Sequence, residues 1–178
     1  MIKIMHMAIS TLFQDARDSG LAPGETLFVS GQDVTGIYMV RSGRVHLQRH
    51  TKHGAQMVLQ NAGPGTVIAE ASAYSSQYHC DAVAAEETVV ASLPKARFLT
   101  ALADDPALAE SWSAMLARSV QAARFRSEVR SLPKVAERLD AWLGEGNHLP
   151  EKGRWQEVAS ELGVTREALY RELSRRRT

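Results

Sequence analysis

Glycines recur at short intervals along the first third of this chain and divide it into short segments. Several segments alternate apolar and polar residues, which is the pattern of a half-buried β-strand. Short strands at even spacing with glycine-rich turns predict a sandwich, jelly roll or small barrel. The turn Arg41-Ser-Gly-Arg44 predicts a hairpin between its flanking strands. The glycines are Gly24, Gly31, Gly36, Gly43, Gly54, Gly63 and Gly65. The predicted strands cover residues 26–29, 36–41, 44–48, 56–59, 67–68 and 82–93.

Beyond about residue 105 the apolar residues recur every three to four positions, which predicts helices. Pro106 suits an early position in a long helix, and Pro133 ends or bends that helix. Residues 134–143 form a further short helix, which Gly144 ends. A helix of roughly 25 residues that is apolar on more than one side favours pairing with a second copy. The sequence thus predicts an α+β chain with a double-stranded β-helix or jelly-roll barrel in residues 1–104, a long connecting and dimerisation helix in 105–132, and a helical domain in 133–178.

The C-terminal stretch has the pattern of a helix-turn-helix. The first helix covers Trp155–Leu162, and Gly163 then supplies the left-handed backbone conformation that ends a helix. Thr165 can cap the second helix through its hydroxyl. In that second helix Leu169 and Leu173 lie on one side and are expected to face inward. The side chains expected to face outward are Arg166, Glu167, Tyr170 and Arg171.

A helix whose exposed first turn carries Arg and Glu suits the major groove of DNA. There an arginine reads guanine and a glutamate accepts a hydrogen bond from cytosine. From residue 166 onward five arginines stand against two acids, so this end of the chain can neutralise phosphates. The alternative is a pair of packed helices in any small α domain. The predicted DNA-binding residues are Thr165, Arg166, Glu167, Tyr170, Arg171 and Arg175.

The composition of the 178 residues is that of an ordinary globular protein: 44% are hydrophobic, 23% are charged, and the formal net charge is +1. A balance so close to zero argues against a protein that coats nucleic acid with its whole surface. The one cysteine, Cys80, excludes an internal disulfide framework and a multi-cysteine iron–sulfur cluster within one chain. We find neither a signal peptide nor the ~20 apolar residues of a membrane span. We therefore expect a cytoplasmic protein with no membrane partner.

The order of barrel, long helix and helix-turn-helix resembles the Crp/Fnr family of bacterial transcription regulators over nearly the whole chain. The runs 24–31 and 37–45, Gly-Glu-Thr-Leu-Phe-Val-Ser-Gly and Ile-Tyr-Met-Val-Arg-Ser-Gly-Arg-Val, look like the opening of that family's cyclic-nucleotide-binding-type barrel. Thr165-Arg-Glu-Ala-Leu-Tyr-Arg171 is similar to the start of the family's recognition helix, Ser-Arg-Glu-Thr-Val-Gly-Arg. The resemblance implies a homodimer that binds a palindromic site in double-stranded DNA. RNA polymerase is a further candidate partner.

The resemblance weakens in the segment that would hold a cyclic nucleotide. In members that bind cAMP, a Gly-Glu pair and, ten residues later, an Arg-Ser pair hold the ribose and the cyclic phosphate. Here Glu70 matches the ribose-binding acid, but Ala69 replaces the glycine, and Cys80 and Asp81 replace the Arg-Ser pair. A carboxylate beside a phosphodiester is repulsive, so we expect a small-molecule effector other than cAMP, or none. The resemblance implies an effector pocket at Ala69, Glu70, Ala71, Cys80 and Asp81 and, where a Thr-Ser pair contacts the adenine, at Ala123 and Arg124.

Two other kinds of site are suggested by histidines. Some relatives in the family are haem-based gas sensors, and His79-Cys80 could ligate haem, but adjacent strand residues point to opposite faces. His46, His50 and His53 suggest a metal enzyme on a jelly roll, but His46 and His50 would lie about 13 Å apart at ~3.3 Å per residue. We expect no metal site, no catalytic residues and no enzyme. A haem-based gas sensor of the same family is the third interpretation.

Family members continue past the recognition helix into a β-hairpin wing, for which we find no match before Thr178. A ligand sensor or scaffold that does not bind DNA, with a truncated helix-turn-helix domain, is therefore the main alternative to a regulator. For a regulator, we expect ligand occupancy of the barrel to act on the DNA-reading helices through the long helix and the hinge at Pro133.

Overall fold

The computed structural model describes residues 9–50 and 56–176. The chain divides into two compact units, Met1–Ala117 and Arg118–Thr178. The predicted α+β class is confirmed, with an antiparallel jelly-roll-like barrel in the first unit and helices in the second. The expectations for His53 and Gly54 fall outside the described residues, as does Arg177, one of the five arginines counted from residue 166 onward.

Within the described part of the first unit, eight strands form two antiparallel four-stranded sheets. The strands are β1 (Arg17–Leu21), β2 (Thr26–Phe28), β3 (Gly36–Ser42), β4 (Val45–His50), β5 (Gln56–Ala62), β6 (Val67–Ile68), β7 (Asp81–Ala84) and β8 (Thr88–Pro94). One sheet has the order β1-β8-β3-β6 and the other the order β2-β7-β4-β5. Each sheet therefore combines strands that are distant in sequence, so that the fold depends on long-range pairing.

The turn around Gly43 connects the two sheets. Because β3 pairs with β6 and β8, whereas β4 pairs with β5 and β7, the predicted hairpin across residues 41–44 is wrong. Gly43 has a φ of 76°, and a Cβ atom placed on it would lie 2.2 Å from the carbonyl oxygen of Glu87. The Thr88 hydroxyl accepts from the backbone N–H of Arg44 and donates to its carbonyl oxygen, at 3.0 Å in both cases. These contacts with residues 87 and 88 direct the exit of the turn into the second sheet.

Three elements of the first unit differ from the expectation. The predicted strand 82–93 is two strands, β7 and β8, because exposed residues 85–87 turn between them. Strand β1 was not predicted, and neither was helix α1 (Lys95–Asp104). The predicted long helix is confirmed as α2 (Pro106–Ser131), which begins separately because Asp105 is extended and its carboxylate accepts from the N–H groups of Ala107 and Leu108.

The core of the first unit lies between the two sheets and under α1. It includes Ile37, Val45, Ile68 and Val90, all with no exposed surface. Phe98 of α1 packs edge-on against Trp112 of α2, with ring centroids 4.8 Å apart. The barrel and its adjoining helices thus share one continuous apolar core.

The described part of the second unit is a helical domain with a core of its own. After α2 ends, two residues before Pro133 as expected, the chain forms α3 (Val135–Gly144), α4 (Trp155–Leu162) and α5 (Arg166–Arg175). Their shared core consists of Val129, Leu139, Trp142, Trp155, Val158, Ala159, Leu162, Leu169 and Leu173. None of the helices among the described residues is both long and apolar enough to cross a membrane.

Candidate nucleic-acid interface and effector site

Helices α4 and α5 and the turn between them lie where the sequence predicted a helix-turn-helix. Gly163 ends α4 with a φ of 65°. The next N–H group, that of Val164, donates to the carbonyl oxygen of Ala159 at 2.9 Å. At the start of α5 the Thr165 hydroxyl accepts from the N–H of Ala168 at 3.2 Å. The glycine and the cap both act as the sequence predicted, because each works through backbone groups within four residues.

Three charged side chains of α5, those of Arg166, Glu167 and Arg171, are exposed, and we call them the reading face. On the other side of the helix Leu169 has no exposed surface and Leu173 is 6% exposed. The core therefore fixes the rotation of α5 about its axis. Two arginines, which can donate hydrogen bonds, and one glutamate, which can accept them, are thus left accessible to solvent.

Tyr170 of α5 has contacts outside its own helix. Its side chain is half-buried, with its ring 4.9 Å from the ring of Trp155 and its hydroxyl donating to the carbonyl oxygen of Lys152 at 3.1 Å. Its other neighbour is Arg166, whose guanidinium carbon lies 5.1 Å from the ring centroid. Tyr170 is thus only partly exposed, because Trp155 at the start of α4 and Lys152 just before it contact this side chain.

Two arginines that were not predicted as functional hold the end of α4. The Arg130 guanidinium donates to the carbonyl oxygens of Glu161 and Ser160 at 3.1 and 2.9 Å. The Arg138 guanidinium donates to those of Leu162 and Gly163 at 3.1 and 3.0 Å. Carbonyls in the last turn of a helix lack the usual N–H partner four residues further on, and here the arginines supply donors in addition to the cap N–H of Gly163, which donates to Ser160. In the sequence, the only local indication of this role was the position of Arg130 at the end of α2. Its partner Ser160 lies 30 residues further along the chain.

At the C-terminal end of α5 the positive charges are paired with acids. Glu172 accepts from Arg175 at 2.9 Å and from Arg176 at 2.7 Å, and Arg176 also donates to Asp140 of α3 at 2.6 Å. The hydrogen bonds from Arg175 and Arg176 lower the pKa of the Glu172 carboxyl. Arg175, a predicted DNA-binding residue, therefore already has a counterion within its own helix.

In the barrel, the predicted effector positions begin at a strained residue. Ala69 has a φ of 69° and is buried; among the described residues it is the only one other than glycine with a positive φ. The left-handed conformation suits the glycine that the resemblance implies at this position. A short 3-10 turn over Glu70–Ser72 follows, in which Glu70 is half-buried and Ala71 is exposed. Ala69 thus adopts a backbone conformation that favours glycine.

Cys80 and Asp81 supply no positive charge at the other predicted effector positions. Cys80 is 1% exposed, and burial first, then the nearby Glu70 carboxylate, raises the pKa of its thiol to about 11. Asp81 accepts from the backbone N–H of Ser30 at 2.8 Å and lies 3.4 Å from the ring of His50. A neutral thiol and a carboxylate do not fit a cyclic phosphate, which needs cationic or hydrogen-bond-donating partners.

The remaining candidate positions are His79 in the first unit and Ala123 and Arg124 in the second. His79 is exposed while Cys80 is buried, as adjacent residues with opposite directions require, and the His79 ring contacts the Ser72 hydroxyl at 3.0 Å. Ala123 and Arg124 are exposed and belong to the second unit. Among residues 9–50 and 56–176 no group of three or more His, Cys, Asp or Glu side chains could hold a metal ion.

The chain is similar to known proteins in both sequence and fold. Residues 20–105 match the family described as cyclic nucleotide-binding domain. The cyclic AMP receptor protein of Thermus thermophilus is 29% identical over 155 residues, which cover 84% of this chain and 72% of that protein.

Two solved structures share the fold. FixK2 from Bradyrhizobium japonicum aligns with a TM-score of 0.75 at 20% identity, over 90% of this chain and 83% of that chain. The c-di-GMP-responsive global regulator CLP of Xanthomonas campestris aligns with a TM-score of 0.71 at 19% identity, over 96% of this chain and 91% of that chain. The predicted resemblance is confirmed: residues 20–105 match the cyclic nucleotide-binding domain, and the chain is similar to the Thermus thermophilus receptor protein and shares the fold of FixK2.

Proposed function

We propose that this chain is a DNA-binding transcription regulator of the Crp/Fnr type, in which α5 reads bases in the major groove. The observation that carries the proposal is the reading face, Arg166, Glu167 and Arg171, exposed on a helix whose opposite side is buried. Thr165 caps that helix and so fixes the conformation of its first turn. Residues at the start of a recognition helix contact base edges, where arginine pairs with guanine and glutamate with cytosine.

We further propose that the regulator is a homodimer, with residues 1–104 as the sensing domain, 105–132 as the connecting and dimerisation helix, and 133–178 as the DNA-binding domain. Val120 of α2 supports pairing with a second copy, since this apolar side chain is 49% exposed. Twofold symmetry would set two recognition helices about 34 Å apart, one turn of DNA. Such a dimer requires a palindromic site.

The effector of the sensing domain is, in this proposal, a small molecule other than cAMP, or absent. The neutral thiol of Cys80 and the carboxylate of Asp81 support this, because neither neutralises a cyclic phosphate. Similar proteins differ in the ligand that their names give, cyclic AMP in one and c-di-GMP in another. We expect cAMP to leave the thermal unfolding midpoint of the protein unchanged; a rise that saturates with cAMP concentration would contradict this part of the proposal.

The test of DNA binding is selection from a pool of randomised duplexes with the full-length protein, followed by sequencing of the retained DNA. Three variants are selected in parallel: Arg166→Ala, Arg171→Ala and, as a matched control, Arg97→Ala, which removes an exposed arginine of α1. The expected result is a twofold-symmetric site with the wild type and with the control. Each reading-face variant should lose preference at one pair of symmetric positions, by about 5- to 150-fold for ~1–3 kcal/mol per contact.

Other outcomes separate the alternatives. If the protein is a folded dimer but neither it nor Arg97→Ala enriches any site, sequence-specific DNA binding is contradicted. That outcome would favour the ligand sensor or scaffold. Enrichment of a site without twofold symmetry would retain DNA binding and contradict the homodimer. Equal site preference in Arg166→Ala, Arg171→Ala and the wild type would contradict the reading face itself.

A further inference from the structure

We propose that Tyr170 is a positioning residue that holds the Arg166 guanidinium in place for base reading. This inference rests on the proposed DNA-binding function and adds a specific cause for the choice of base. Arg166 and Tyr170 are four residues apart, hence neighbours on one face of α5. The Arg166 guanidinium carbon lies 5.1 Å from the ring centroid, within the range of a cation–π contact.

The Tyr170 ring is itself held on two sides, so it can serve as a fixed platform. Its hydroxyl donates to the carbonyl oxygen of Lys152 at 3.1 Å. Its ring meets that of Trp155 at 61°, with the centroids 4.9 Å apart. Trp155 is 6% exposed, and its indole N–H donates to the carbonyl oxygen of Pro150 at 2.9 Å. Rotation of the ring would break its contacts with Trp155 at the start of α4 and with Lys152 just before it.

A guanidinium held over a ring by a cation–π contact still has N–H donors that can reach a base. Arginine presents five such donors in a rigid plane, and stacking on an aromatic face does not use them. Ordering a long side chain on binding is unfavourable, and a side chain already ordered avoids much of that loss. The recognition-helix motif that this chain resembles has glycine where Tyr170 stands, so the platform is a feature of this sequence.

The test is a double-mutant cycle on the duplex selected above, measured as the ratio of affinities for that duplex and for a scrambled one. Tyr170→Leu removes the aromatic face and keeps apolar bulk beside Trp155, and it is placed in wild-type, Arg166→Ala and Arg171→Ala backgrounds. Because both affinities come from the same sample, a partly unfolded variant does not change the ratio. Tyr170→Phe keeps the ring and loses only the hydroxyl.

We expect Tyr170→Leu to lower the ratio about fivefold in the wild-type and Arg171→Ala backgrounds and to have no effect in the Arg166→Ala background. Tyr170→Phe should retain most of the ratio. An equal loss in all three backgrounds would overturn the inference and assign Tyr170 a purely structural role or a base contact of its own. No loss in any background would overturn it too. A wild-type ratio of one would instead overturn the proposed function and, with it, this inference.

Discussion

The guanidinium of Arg130, near the end of α2, donates to the carbonyl oxygen of Ser160 in α4 at 2.9 Å. The same side chain packs its stem within 3.0 Å of the place where a Cβ atom on Gly163 would lie. The long helix is therefore joined to the first helix of the helix-turn-helix by both hydrogen bonds and packing. Any displacement of the last turn of α2 would be transmitted to the turn that precedes α5.

Replacing Arg130 by methionine should loosen α4 while leaving the barrel intact. Methionine keeps the apolar stem but removes the donor to the carbonyl oxygens of Ser160 and Glu161. Because hydrogen bonds from a charged group contribute about 1.5–3 kcal/mol, we expect a loss of that size in the stability of this contact. Hydrogen exchange followed by mass spectrometry should show faster exchange in peptides covering 155–163, with unchanged exchange in strands β3 and β8. Arg97→Ala serves as the control, and equal protection of α4 in Arg130→Met would contradict the prediction.

Replacing Ala69 by glycine should stabilise the barrel. A left-handed conformation is unfavourable by roughly 1–2 kcal/mol for a residue with a Cβ atom, which exceeds the ~0.5–1 kcal/mol entropy loss of glycine. We expect a gain of a few tenths to about 1 kcal/mol in the free energy of unfolding, measured by urea titration. The matched variant Ala71→Gly lies in the adjacent 3-10 turn and should be neutral or destabilising. A destabilised Ala69→Gly protein would show that the strain argument fails.

Gly43→Ala should destabilise the barrel strongly, and Gly24→Ala supplies the matched comparison. Both glycines have a positive φ, 76° and 82°, but a Cβ atom at Gly43 would lie 2.2 Å from the Glu87 carbonyl oxygen, whereas nothing lies within 4 Å at Gly24. We expect losses of about 1–2 kcal/mol at Gly24 and roughly 2–5 kcal/mol at Gly43. Equal losses in urea titration would mean that the crossover between the sheets relaxes around the added methyl group.

The thiol of Cys80 should react slowly with iodoacetamide in the folded protein. Burial raises its pKa from 9.0 to about 11, so that at pH 8 almost none of it is thiolate, and its sulfur is also shielded. Labelling in urea should be much faster, and one cysteine in the chain makes the readout unambiguous. Because the folded state keeps the proton more tightly, stability should fall as the pH rises from about 9 to about 11. Fast labelling of the folded protein at pH 8 would contradict the buried, neutral thiol.

Local signals in the sequence sufficed for the helix-turn-helix but not for the strand pairing of the barrel. Gly163 and Thr165 act on backbone groups a few residues away, so their roles were readable from the sequence. The turn at Gly43 could be recognised as a turn, but the predicted hairpin was wrong because Arg44 hydrogen-bonds to Thr88, 44 positions further along the chain, and its strand joins the other sheet. Strand β1 exists through its pairing with β8, and its sequence Arg-Asp-Ser-Gly-Leu has no alternation that would reveal it.

The same distinction between local signals and long-range contacts applies to the candidate sites. The exposed positions of Arg166, Glu167 and Arg171 follow from helical periodicity once Leu169 and Leu173 are placed inward. The half-buried position of Tyr170 depends on Trp155 and Lys152, which belong to another part of the chain, and periodicity alone cannot supply that contact. The replacement of an arginine by Cys80 was visible in the sequence, whereas the burial that keeps its thiol neutral required the fold.

Glu172 gives the arginine-rich end of α5 a smaller effective charge than its composition indicates. Arg175 and Arg176 share its carboxylate, and Arg176 also meets Asp140, so these four side chains together are neutral. In the proposed complex with DNA, each phosphate that a cation neutralises contributes about 0.9 to the slope of log affinity against log salt concentration. Arginines that already share internal counterions contribute less than that. The salt dependence of DNA binding should therefore be shallower than the number of arginines in and after α5 would suggest.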